Sequence, residues 1–229
     1  MGMNKVVLIT GASSGIGKQI AKIYLKKDYR CILLGRNRQG FAYAENNPQA
    51  EILLGDLTLK KIRNQVIELV ENKYKRLDIL INNAGITFIQ PFEENTENQL
   101  QTILDINLKA PILLTHDLYE TMKQQKEGTI VFINSSAGKQ GYQNHTLYST
   151  TKMGLNGFSQ SLRLEAKKYG IRVISIHPGG VKTALYDKLK DKPDVDQYMD
   201  SKKVAEIVVY LTETSELSPD EISISRMTK

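Results

Sequence analysis

The sequence predicts an α/β protein: a doubly wound, three-layer parallel sheet of seven strands in a single domain spanning 1–229. Three observations predict it. Short apolar, β-branched runs alternate with longer segments of helical spacing, an order that calls for crossover connections and parallel pairing. Two of the runs, Val6-Val7-Leu8-Ile9 and Ile130-Val131-Phe132-Ile133, are apolar at every position, as strands covered on both faces are. A chain of 229 residues, 41% hydrophobic and 24% charged, also has the size and composition of one domain with a substantial core.

Taken in order, Lys5–Thr10 is the first predicted strand, and a glycine-rich turn leads from it into a helix that repeats Ile16, Ile20 and Ile23 on one face. Arg30–Leu34 and Ala50–Leu54 follow as strands, then a helix marked by Ile62, Val66 and Leu69. Asp78–Asn82 is the fourth strand. The helical stretch 96–125 contains Pro111, which should kink or divide it. Gly128–Asn134 is the fifth strand, and Leu155, Phe158 and Leu162 mark the next helix. Ile171–His177 and Glu221–Ser225 complete the set. The stretch 184–202, rich in Lys, Asp and Tyr and interrupted by Pro193, reads as a short lid-like excursion before the last helix.

Composition excludes several function classes. One cysteine, Cys31, leaves no internal disulfide and no multi-cysteine metal site. His116, His145 and His177 lack metal-ligand spacing, so no metal is expected. Gly2 is followed at position 6 by Val6, where a myristoylation signal needs Ser or Thr. No apolar run approaches a membrane span, and the expected location is the cytoplasm. The net charge of +6 admits anionic partners. The lysines, however, are spread over helical segments (Lys22, Lys26, Lys27, Lys60, Lys61, Lys167, Lys168) as on solvated faces. Without a basic stripe interleaved with aromatics, no nucleic-acid partner is expected.

The first strand runs directly into Thr10-Gly11-Ala12-Ser13-Ser14-Gly15-Ile16-Gly17. Glycines at such a junction let the chain turn sharply and let a diphosphate approach amides at a helix N-terminus, where the dipole favours negative charge. The spacing Gly-x3-Gly-x-Gly differs from the common dinucleotide fingerprint, and alone it would mark only a tight strand–helix junction. Further along, Gly55-Asp56-Leu57, Asn82-Asn83-Ala84-Gly85, Asn107, Ser135, Tyr148, Lys152 and Pro178-Gly179-Gly180-Val181-Lys182-Thr183 occur in a fixed order. With these motifs the chain resembles the short-chain dehydrogenase/reductase family over nearly its whole length, in the subtype with a Thr-Gly-x3-Gly-x-Gly turn.

The resemblance implies a Rossmann-type domain and an NADP(H)-dependent oxidoreductase that moves a hydride between the nicotinamide and a carbonyl or secondary alcohol. It assigns cofactor contacts to Gly11, Ser13, Ser14, Gly15, Ile16 and Gly17, to Asp56 and Leu57 near the adenine, and to Asn83, Ala84 and Gly85. It adds Pro178, Gly179, Val181 and Thr183 at the nicotinamide, and Tyr148 and Lys152, the lysine also holding the ribose. It implies a catalytic tetrad of Asn107, Ser135, Tyr148 and Lys152, with Asn107 holding a water that links Lys152 to a proton relay. NAD-preferring members end the second strand with an acidic residue; here that strand ends in Gly35, and Arg36 follows, with Arg38 and Ser13 close in sequence or motif. NADP(H) is therefore the expected cofactor rather than NAD(H), because an arginine fork binds a 2′-phosphate that a carboxylate would repel. A homo-oligomer is also implied. The chain ends Ile222-Ser223-Ile224-Ser225-Arg226-Met227-Thr228-Lys229 without the family's Asp-Gly-Gly segment, so a dimer is expected and a tetramer is left open.

The residues themselves carry a consistent chemistry. Tyr148 and Lys152 are four apart on a helical segment, hence on one face. A free tyrosine has a pKa near 10, and bringing it to about 7 needs about 4 kcal/mol of phenolate stabilisation. A neighbouring ammonium and an oxidised nicotinamide ring supply a field of that sign. Ser135 leaves the end of the fifth strand, where open α/β sheets bind their ligands, and can donate to a substrate carbonyl; Ser136 is the rival position. Tyr142, Leu147, Leu185, Tyr186, Tyr198 and Met199 are candidates to line a partly apolar substrate pocket. Two other readings stand beside the general one. Lys188, Lys190 and Lys192 would suit an acyl carrier, making the chain a 3-oxoacyl-carrier reductase; alternatively the fold serves as a non-enzymatic NADP sensor, which would have no need of Tyr148 or Ser135.

Overall fold

Alternating faces of the first strand show how the fold is built. In the computed structural model, which describes residues 5–187, 189, 194–214 and 218–227, β1 (Val6–Thr10) is buried along its whole length. Val7 and Ile9 point to one layer of helices, Val6 and Leu8 to the other. Alternation of side chains along a strand makes each apolar run serve two cores at once.

Six more strands join β1 in register: β2 (Arg30–Gly35), β3 (Ala50–Leu54), β4 (Ile79–Asn82), β5 (Gly128–Ile133), β6 (Ile171–Pro178) and β7 (Glu221–Ile224). All pairs are parallel, and the order across the sheet is β3-β2-β1-β4-β5-β6-β7. The seven predicted strands are all present, with ends within about one or two residues, the ordinary uncertainty of strand and helix limits. The order reverses direction between β1 and β4, and the crevice beyond the carboxyl ends of these strands is where such sheets bind ligands.

Helix α1 (Gly15–Lys26) buries Ile20, Ala21 and Tyr24 on one side of the sheet, together with Ala205, Val208 and Val209 of α6 (Ser201–Glu213). The Tyr24 and Thr212 hydroxyls hydrogen-bond and tie the two helices together. Ile62 and Val66 of α2 (Lys60–Glu68) lie in the opposite core. Its centre is filled by Leu114 and Leu118 of α4 (Ala110–Gln125) and Leu155 of α5 (Thr146–Ala166). A 2.9 Å ion pair between Arg63 and Asp117, with Arg63 buried, links α2 to α4.

The division expected near Pro111 is made by a wider turn. α3 (Glu97–Leu104) begins at a Thr96–Gln99 capping box and passes into a π-turn over Asp105–Lys109 before α4. Pro111 sits in the first turn of α4, where its missing N–H costs least. In the 184–202 excursion, a short turn at Ala184–Tyr186 is followed by a two-residue parallel ladder between Val181–Lys182 and Met199–Asp200. Lys188, Lys190, Lys192 and Pro193 lie outside the described residues, as does Gly2.

Candidate active site

At the carboxyl end of β1 the chain turns through Gly11, whose φ of +66° favours glycine. A Cβ there would meet Asn83 Nδ2 at 2.8 Å and the Ala84 backbone at 2.9 Å; one on Gly17 would meet the Gly11 carbonyl at 2.6 Å. At these two glycines the turn is therefore packed too tightly, against Asn83, Ala84 and its own backbone, to admit a side chain. Thr10 locks the two together: its buried hydroxyl accepts from the Asn83 and Ala84 N–H groups, each at 3.0 Å. Asn83 donates its amide to the Thr10 and Gly11 carbonyls at 2.9 and 3.3 Å, so its side chain builds the turn.

Beyond the turn, Ser14 precedes α1 in extended backbone (φ −154°, ψ 173°) without capping the helix, and no acidic side chain lies in the first turn. The leading amides of α1 thus face the crevice without a side-chain acceptor, and a glycine cradle with open helix amides fits a diphosphate. Thr183 caps the Ala184–Tyr186 turn and lies beside Gly15, which brings the Pro178–Thr183 stretch to the rim of the cradle. Gly179 is held there by its N–H bond to the Ile224 carbonyl at 2.9 Å, and Val181 is buried.

At the end of β2, Arg36 is exposed and reaches Asp56, with Nη1 3.7 Å from Oδ2. The other Asp56 oxygen accepts from the Thr58 N–H and hydroxyl at 2.9 and 2.7 Å, which fixes the turn after β3. Leu57, next to Asp56, is buried in the core beneath. Arg38 pairs loosely with Glu45 at 3.9 Å.

The catalytic candidates converge beyond β5. Ser135 opens a short turn over Ser136–Gly138, its Oγ accepting from the Ala137 N–H at 3.1 Å, and its side chain hydrogen-bonds Tyr148. Ser136 lies within that turn and serves it through its carbonyl, which accepts from the Lys139 and Gln140 N–H groups. Tyr148 and Lys152 share a face of α5, the ammonium 5.7 Å from the ring centroid. Lys152 is buried, 4% exposed, and donates to the Ile133 carbonyl at 3.0 Å. Loss of hydration pushes its pKa down from 10.5 to about 8. The Tyr148 phenol is pushed up by burial, an effect the Ser135 hydrogen bond partly offsets. The lowering expected for Tyr148 is thus not found in the protein alone, where burial dominates although the Lys152 ammonium lies 5.7 Å from the ring centroid.

Asn107 sits in the π-turn, 1% exposed. Its amide exchanges two hydrogen bonds of 2.8 Å with the Ile86 backbone and donates to Thr151 Oγ1 at 3.3 Å. A Cβ on Gly85 would lie 3.3 Å from Asn107 Oδ1 and 3.9 Å from Lys152 Nζ, so only a glycine-sized gap separates Asn107, Lys152 and this backbone. Facing the tetrad are aromatic walls: His145 against Tyr142 at 5.9 Å and against Tyr148 at 6.3 Å, and Tyr186 against Tyr198 at 5.4 Å between centroids. Leu147 is buried, while Leu185 and Met199 are partly exposed near this cleft. Cys31 is fully buried in β2 with its thiol pushed up to about 12, and it behaves as a small apolar residue.

Sequence reasoning missed two features: the locking hydroxyl of Thr10 and the polar contacts of His177. The place of Thr10 at the end of the first strand, immediately before the first glycine, was the one local signal for the former. For His177, residues 42 and 44 positions away must be brought together, and no local pattern announces that. Among the described residues no group of three or more His, Cys, Asp or Glu could hold a metal, and no helix is long and apolar enough to cross a membrane.

A parallel sheet with a glycine cradle at its topological switch point and a Ser–Tyr–Lys cluster beside it defines a class of dinucleotide-dependent fold. Residues 5–194 match the short chain dehydrogenase family, and the chain belongs to that family of oxidoreductases. It is 31% identical over 232 residues to an uncharacterized oxidoreductase of Staphylococcus saprophyticus, covering 96% of this chain and 97% of that one. Among solved structures it resembles ElxO with NADP bound, at TM-score 0.87 and 25% identity over 97% of this chain and 98% of that one. It also resembles a 4-hydroxyisoleucine dehydrogenase complexed with NADH, at TM-score 0.86 and 28% identity over 97% of each chain.

Proposed function

We propose that this chain is an NADP(H)-dependent reductase of small aldehydes and ketones, or in reverse a dehydrogenase of the matching alcohols. The observation that carries the reading is the meeting of Ser135, Tyr148 and buried Lys152 beyond the carboxyl end of β5, at the same end of the sheet as the glycine cradle. The cofactor, when bound, supplies or accepts the hydride. Gly11, Ser13, Ser14, Gly15, Ile16 and Gly17 would hold its diphosphate, and Asp56, Leu57 and Ala84 would border its adenosine half. Gly85, Pro178, Gly179, Val181 and Thr183 would border its nicotinamide half, and Lys152 would hold the ribose.

Ser135 donates a hydrogen bond to the substrate oxygen, which stabilises negative charge as it develops there. Tyr148 delivers the proton to that oxygen in reduction and removes it in oxidation. Lys152 is cationic below about pH 8 and favours the phenolate left behind. Asn107 holds the backbone at Ile86 close to Lys152, where a water can connect the lysine to solvent. Arg36 is the basis for preferring NADP(H), and ElxO bound to NADP is consistent with that choice. The aromatic walls suit a compact, partly apolar substrate held beside Tyr142, Tyr186 and Tyr198. A homodimer is part of the reading, formed through the helical stretches that carry Asn107 and Tyr148; on the latter, α5, Met153 and Leu164 are exposed.

The test is steady-state oxidation of NADPH with a panel of small aldehydes and ketones. Turnover by the wild type that disappears in Tyr148→Phe supports the reading. NADPH binding without turnover of any carbonyl would instead favour a non-enzymatic sensor.

A further inference from the structure

Behind Ser135 lies a line of polar groups that the proposed reaction does not use. The His177 side chain is 0% exposed. Its Nδ1 lies 3.0 Å from the Ser135 carbonyl oxygen. A carbonyl can only accept, so Nδ1 carries the hydrogen and donates it. The opposite nitrogen, Nε2, faces Glu221 Oε2 at 3.8 Å and has no hydrogen-bond partner among the described residues. Burial lowers the pKa of the imidazole, in keeping with a neutral ring whose single hydrogen is committed to Ser135.

Glu221, the first residue of β7, does more than face the imidazole. Its carboxylate is paired with Lys139 and accepts from Gln160 Nε2 of α5 at 2.7 Å. Lys139 closes the turn that Ser135 opens, its N–H bonded to the Ser136 carbonyl at 2.9 Å. The carboxylate therefore holds the Ser135 turn through the ammonium of Lys139 and anchors it to the helix that carries Tyr148, while His177 holds the Ser135 carbonyl from the other side. An apolar residue at position 177 would avoid leaving a buried nitrogen unpaired. What the histidine adds is a directional hold on the Ser135 peptide.

We propose that His177 is a positioning residue that, beside the Lys139–Glu221 pair on the same turn, fixes the Ser135 peptide so that its hydroxyl and the Tyr148 phenol address one substrate oxygen. This inference rests on the proposed carbonyl chemistry. Ser135 Oγ already accepts from the Ala137 N–H, so rotation of its peptide would swing the hydroxyl away from Tyr148.

The experiment compares full-length His177→Leu and His177→Asn with the wild type, measuring kcat, KM for a carbonyl substrate, the Kd for NADPH by fluorescence, and Tm. The Asn amide nitrogen stands close to where Nδ1 stands and can still donate to the Ser135 carbonyl. His177→Leu should lower kcat by about 10- to 100-fold, the loss expected from a displacement of about 1 Å at a reacting group, with the NADPH Kd little changed. His177→Asn should restore kcat to within about threefold of wild type. A merely structural histidine would lower Tm in both variants and leave kcat of the folded protein alone. The inference is overturned if His177→Leu keeps wild-type kcat, or if Asn does no better than Leu. Should His177→Leu not fold, Glu221→Gln decides: it should lower kcat by about 3- to 10-fold at unchanged NADPH affinity, and an unchanged kcat overturns the hold on the Ser135 turn. Tyr148→Phe is run alongside. Full activity in that variant would sink the carbonyl chemistry itself, whereas its inactivation together with silent His177 variants removes only the positioning role.

Discussion

Replacing Lys152 with methionine tests the electrostatics of the site without any substrate. Lys152 is 4% exposed, and among the described residues its hydrogen bond goes to the Ile133 carbonyl. Burial lowers its pKa from 10.5 to about 8, and at about 1.4 kcal/mol per pH unit the buried charge costs about 3 kcal/mol at neutral pH. Below pH 8 both folded and unfolded chains hold the proton, so the full cost is present and does not vary with pH. Between 8 and 10.5 the folded protein releases the proton first, the unfolded chain binds more protons, and stability rises with pH. Raising the pH from 7 to about 9.5 should return about 2 kcal/mol to the wild type relative to Lys152→Met, in which no such group titrates. Urea unfolding of both proteins without cofactor, at the two pH values, measures this difference; other titrating groups are common to both and cancel. A gap that stays constant or moves toward Lys152→Met would refute the argument that Lys152 is held as a desolvated cation.

Arg36→Ala should lower the preference for NADPH over NADH in kcat/KM by about tenfold, the low end for a charge-assisted contact because the arginine is exposed. The change is best made without Gly35→Asp, since a Cβ at Gly35 would meet Phe41 Cζ at 2.9 Å and Ser13 Oγ at 3.1 Å. Thr10→Val leaves the Asn83 and Ala84 N–H groups without their acceptor and should cost about 2–4 kcal/mol in urea unfolding, with weaker NADPH binding. Light scattering should find a dimer at micromolar concentration, and Met153→Glu with Leu164→Glu should shift it toward monomer.

Much of the fold was legible because the strands declare themselves locally. Val6-Val7-Leu8-Ile9 and Ile130-Val131-Phe132-Ile133 need no partner to be recognised as doubly buried, and they lie in β1 and β5. The glycine spacing and the Tyr148–Lys152 interval were legible for the same reason, since both operate within one turn or one helix. The π-turn at Asp105–Lys109 was not, because its backbone stays close to helical values (φ −63°, ψ −46° at Leu104) and Pro111 drew attention further along. The raised pKa of Tyr148 was also out of reach. It depends on how deeply the phenol is buried, which follows from tertiary packing rather than from the lysine four residues on. In the sequence His177 was only one of three histidines without metal-ligand spacing, and its surroundings come from Ser135 and Glu221 on other strands and turns.

The central claim is that Tyr148 transfers the proton to a carbonyl oxygen. Tyr148→Phe keeps the ring beside Lys152 and His145 and removes only the hydroxyl that bonds Ser135. Measured with NADPH and the best carbonyl substrate of the panel, its kcat should fall by at least about 100-fold, the usual worth of a general acid, while the Kd for NADPH stays close to wild type. A variant that binds NADPH normally and turns over near the wild-type rate would contradict the account.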